Sequence, residues 1–83
     1  MTTYREELFA LYSVCSDAAL ERILSRHEVD HCYDVYIRLK LSFVKGVTLE
    51  QFKAMPAASR TVANTKGYTA YRAWLHSRIT HGR

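Results

Sequence analysis

The run Thr48-Leu-Glu-Gln-Phe-Lys-Ala-Met-Pro56 constrains this chain more than any other stretch, because it carries signals for both ends of a short helix. Thr48 can cap the amides that follow it, and Gln51, three residues on, can return to the Thr48 backbone. Val47 and Phe52 flank that box as a hydrophobic staple. Pro56 pushes Met55 out of the helical region, so a helix opening at Leu49 is expected to stop at about Ala54. Ser59 then offers a second cap, and Arg60 to Lys66 are expected to form another short helix ending at Gly67. Two short helices across a tight turn, the second polar and basic, have the layout of a helix-turn-helix.

The segment F-V-K-G-V-T-L-E-Q-F, followed by S-R-T-V and a basic amphipathic tail, resembles the helix-turn-helix of sigma factor region four and of response-regulator DNA-binding domains. The resemblance covers the C-terminal half. It implies that Phe52 and Val62 pack together across the turn, at a spacing of ten, one residue shorter than that family shows. With Val62 inward, Arg60 and Asn64 would face outward, where arginine suits guanine edges and asparagine adenine edges. Ser59 and Thr61 would add contacts at the helix start, and Thr48, Lys66 and Arg72 would meet phosphate oxygens.

The charge distribution agrees with that placement. Residues 1–44 carry five basic side chains against seven acidic, a net of −2, whereas residues 45–83 carry seven basic against Glu50 alone, a net of +6. Each cation set beside a phosphate releases condensed counterions, so a +6 half suits a polyanion. The plainer alternative is a basic face that only confers solubility.

Upstream, Tyr4, Leu8, Leu11, Tyr12 and Val14 recur at helical spacing from Thr3 to Val14, with Glu6 and Glu7 where the helix dipole favours them. Ser16 and Asp17 offer a cap for a second helix reaching His27 with Leu20, Ile23 and Leu24 on one face. From about Asp30 to Val44 the apolar content suits a buried central helix. Ile37 to Phe43 alternates as a strand would, but no second strand-like run exists to pair with it. Thr69 opens a last helix with Tyr71, Trp74, Leu75 and Ile79 as its apolar stripe, and His81 to Arg83 is expected to fray. The six tyrosines and Trp74 fall mostly at core spacing, which favours packing over base stacking.

The fold class expected is therefore all-α: a single small domain, residues 1–83, of about five helices, with 1–44 completing the core and 45–79 holding the helix-turn-helix-like segment and last helix. Cys15 and Cys32 lack the dense spacing of a secreted disulfide scaffold, and the N-terminus lacks an apolar leader, so a cytoplasmic protein with reduced thiols is expected. No apolar run spans a membrane. His27 and His31 stand at i and i+4 beside Glu28, Asp30, Cys32 and Asp34, but match no zinc spacing and are expected to be surface residues. With no nucleophile pair placed by sequence, no phosphate loop and no paired carboxylates, neither an enzyme nor a cofactor is expected. The function expected is a DNA-binding, transcription-associated regulator with duplex DNA as partner and room for a homodimer. The alternative is a compact phage or mobile-element protein that inhibits a host protein or nucleoprotein complex through its basic face.

Overall fold

A computed structural model describes the backbone of residues 3–81 and the side chains of residues 3–79. The described residues form four helices and no strand: α1 (Tyr4–Glu21), α2 (Arg26–Leu41), α3 (Leu49–Ala54) and α4 (Ala57–His81). None is long and apolar enough to cross a membrane. The chain divides into two compact units, Met1–Leu39 and Lys40–Arg83.

In the first unit, the Thr3 hydroxyl accepts from the Glu6 amide at 3.1 Å, and Glu6 and Glu7 occupy the favoured acidic end of α1. The helix then passes straight through Ser16-Asp17, where a second helix was expected to begin. A residue able to cap does so only if the backbone before it leaves the helix. Here Ala18, Ala19 and Leu20, among the strongest helix formers, carry α1 on to Glu21.

Arg22 is extended, and the break falls at Arg22 to Ser25 instead. Ser25 and Glu28 cap α2 reciprocally: the Glu28 amide donates to Ser25 Oγ at 3.2 Å and the Ser25 amide donates to Glu28 Oε1 at 2.9 Å. Arg22 also donates to Glu28 from both terminal guanidinium nitrogens, and that pairing first, then the Ser25 amide, holds the Glu28 carboxyl down at about 2. The helix reading of Ile37 to Phe43 holds as far as Leu41, where α2 ends short of the expected Val44, with Val35, Ile37 and Leu39 buried.

Tyr12 stacks on Tyr36 with ring centroids 4.6 Å apart, Cys15 is bonded to Cys32, and Arg22 meets Glu28. As one partner's number rises the other's falls, so α1 and α2 form an antiparallel helical hairpin. The expectation of two reduced thiols is thereby corrected. Seventeen residues of sequence separate the cysteines, but the hairpin register brings their Cα atoms to 5.8 Å, within bonding range.

In the second unit, turns at Phe43 and Val44 lead to Gly46, whose φ of 78° is the left-handed conformation that glycine adopts without strain. The Thr48 box forms as expected, with the Gln51 amide donating to Thr48 Oγ1 at 3.1 Å and the Thr48 amide to Gln51 Oε1 at 2.9 Å. Met55 is extended (φ −71°, ψ 150°) ahead of Pro56, and α3 ends at Ala54. From there the structure departs from expectation. Helix α4 opens at Ala57, two residues before Ser59, because the Pro56 carbonyl already accepts from the Arg60 amide at 3.0 Å.

Helix α4 also continues unbroken through Gly67, so the expected recognition helix and last helix are one element. Gly67 is there for contact, since a β-carbon at that position would lie 2.6 Å from the Lys40 carbonyl oxygen. Ala63, Gly67 and Tyr71 are buried at intervals of four, and Trp74 meets Phe43 edge-on at 5.8 Å. Arg78 lies over the Trp74 ring at 4.8 Å. Fraying was expected from His81 to Arg83; His81 is the last residue of α4, and Gly82 and Arg83 lie outside the described residues.

Two stability predictions follow from these contacts. Reducing the disulfide should lower stability by about 3 kcal/mol, the entropic value for a loop of this size, and Cys15→Ser should reproduce the loss without reductant. Thermal melts with and without dithiothreitol check both. Gly67→Ala should destabilise by roughly 1 to 3 kcal/mol in urea unfolding, although alanine is the better helix former by about 1 kcal/mol, because the obstructing atoms are backbone.

Candidate nucleic-acid interface

The second unit places the residues expected to touch DNA with uneven results. Ser59, Arg60 and Thr61 are all exposed on the first turns of α4, and Lys66 and Arg72 are exposed further along it. Thr48 is exposed at the start of α3, its oxygen accepting from Gln51 and its hydroxyl proton left to donate.

Val62, expected to face the core against Phe52, is 55% exposed, and Ala63 is buried in its place. The phase of α4 is set by Gly67, which must face the Lys40 backbone, and Ala63 lies one turn before it on the same side. Each residue turns a helix by about 100°, so Val62 is carried outward. The same rotation takes Asn64 towards the interior. Half-buried, it accepts a hydrogen bond from Lys40 Nζ through Oδ1 at 2.5 Å. That oxygen is therefore engaged within the fold instead of standing open to an adenine edge.

A different set of residues makes up the outer side of α4. Thr61, Thr65, Thr69, Arg72 and His76 are exposed, and their spacing of four, four, three and four keeps them on one stripe. Between Ala57 and His81 there is no aspartate or glutamate. The resemblance points to the start of this helix and misses Thr65, Thr69 and His76. The signal available in sequence was the hydroxyl and basic residues recurring at helical period through Gly67.

Lys40 is nearly buried at 7% exposure, and burial pushes its ammonium below the usual lysine value. Asn64 supplies a neutral acceptor, which offsets part of the lost hydration without adding a second charge. His27 and His31 are exposed on α2, and no three histidine, cysteine, aspartate or glutamate side chains gather among the described residues in a way that could hold a metal ion.

A lysine whose folded pKa is depressed opposes folding while it is charged in both states, and that opposition fades as pH rises from the folded value towards 10.5. Asn64→Ala should therefore cost roughly 1 to 2 kcal/mol near neutrality, where the ammonium needs its acceptor, and less as pH climbs. Urea titrations of both proteins between neutral and alkaline pH give the difference directly.

No protein-family model, curated protein or solved structure matches the chain, so the chemistry of these residues alone carries the functional reading.

Proposed function

We propose that this chain binds duplex DNA through α3 and the outer side of α4, acting as a small transcription-associated regulator of the helix-turn-helix kind. The observation that carries this reading is the composition of α4. A helix of 25 residues with Arg60, Lys66, Arg72 and Arg78, a stripe of threonines and no carboxylate presents cations and hydroxyls and no anion to what it meets. Phosphate oxygens and the acceptor edges of bases are the complement of such a face. Its first turns are exposed on all sides from Ala57 to Val62, so the end can enter a major groove wide enough for a helix.

In this arrangement Arg60 reads base edges, with Ser59 and Thr61 beside it. Lys66, Arg72 and Thr48 hold the backbone.

Affinity should fall steeply with salt, and Lys66→Ala or Arg72→Ala should each weaken binding to all sequences alike and reduce the salt slope by about 1. Arg60→Ala should cost about 1 to 3 kcal/mol, mainly on the preferred site. Selection from a random duplex pool, followed by titration of these variants, is the measurement. If no site is enriched and no duplex binds at low salt, the DNA reading fails. The basic face would then belong against an acidic protein or a host nucleoprotein complex, as an inhibitor would use it.

A further inference from the structure

The loop after α2, the α3–α4 link and the second turn of α4 enclose a groove of about 370 Å³. Val44, Val47, Met55 and Val62 give it an apolar floor, and Lys45 and Lys66, both exposed, also line it. Neither lysine forms an ion pair among the described residues. The ligand such a groove fits is an apolar side chain flanked by carboxylates.

The chain carries one of that description. Leu20, in the last turn of α1, is 86% exposed, and Ile23 just beyond it is 97% exposed, far more than side chains of this type normally are. Asp17, one turn before Leu20 on the same side of α1, and Glu21, next to it, are both exposed. The arginines at this tip, Arg22 and Arg26, are already paired with Glu28 and Asp30. Tip and groove thus match in both polarity and charge: an exposed leucine beside two carboxylates, and an apolar trough beside two free ammonium groups.

We propose that the groove receives Leu20 of a second copy of the chain, with Asp17 and Glu21 set against Lys45 and Lys66. The opposite net charges of residues 1–44 and 45–83 steer the two surfaces together. Each copy has one tip and one groove, so each can both offer a tip and receive one. The proposal does not depend on the DNA reading.

Sedimentation velocity on the full-length, disulfide-bonded protein tests it, without DNA, across roughly 10 to 500 μM protein. Self-association is expected at about 50 mM salt and should weaken at about 500 mM salt. Leu20→Asp, on the tip, and Val62→Asp, in the groove, change exposed side chains, and circular dichroism verifies that each variant folds. Each alone should lower the association constant at least about tenfold. Mixed together they should form a heterodimer, because one keeps an intact groove and the other an intact tip. A wild-type protein that stays monomeric throughout overturns the proposal. So does association that survives either substitution, or a mixture of the two variants that stays monomeric.

Discussion

The second unit depends on one close approach, that of Gly67 to the Lys40 backbone. Because no β-carbon intervenes, α4 lies against the chain there with a separation that any other residue would widen. That contact fixes the phase of α4, and the phase decides the rest. Ala63 and Tyr71 turn inward, Asn64 comes within reach of Lys40, Trp74 meets Phe43, and Val62 is turned out onto the groove.

The elements best marked in the sequence were those whose signals are local. The Thr48–Gln51 box and the Met55-Pro56 pair define α3 because capping and proline sterics act within one or two turns. Ser25 and Glu28 form a box of the same kind, and their spacing is equally plain in the sequence. It competes there with Ser16-Asp17, and only the helix propensity of Ala18-Ala19-Leu20 decides between the two. Gly67 is ambiguous in principle. A glycine late in a helical stretch marks either its end or a tight contact, and which applies depends on Lys40, 27 positions earlier. The cysteine pair is equally non-local, since its geometry exists only once α1 and α2 lie antiparallel. Of the candidate interface, the general location and the basic charge were legible. The exposure of Ser59, Arg60, Thr61, Lys66 and Arg72 was legible too, whereas the exchange of Val62 and Asn64 and the stripe of Thr65, Thr69 and His76 were not, because they follow from the helix phase.

The two units manage charge differently. In the first, cations and carboxylates occur together, as in the pairing of Arg22 with Glu28 and of Arg26 with Asp30. In the second, Glu50 is the only carboxylate side chain, and α4 has no intrahelical ion pair to steady it. Its helical state rests on packing along the Ala63, Gly67 and Tyr71 side, which leaves the cations on its outer side uncommitted to carboxylates of their own helix.

The Met55-Pro56 link has a consequence for any partner of α3 and α4. Met55 is confined to the extended region by the proline that follows, and the proline ring fixes its own φ, so few backbone torsions between the two helices remain free. The Thr48 box stiffens the near end of α3, and the Pro56 carbonyl starts α4 without a gap. The angle between the helices is thus set before any encounter. A ligand that spans both has little conformational entropy to remove from this elbow, and its binding enthalpy goes into contact instead of ordering.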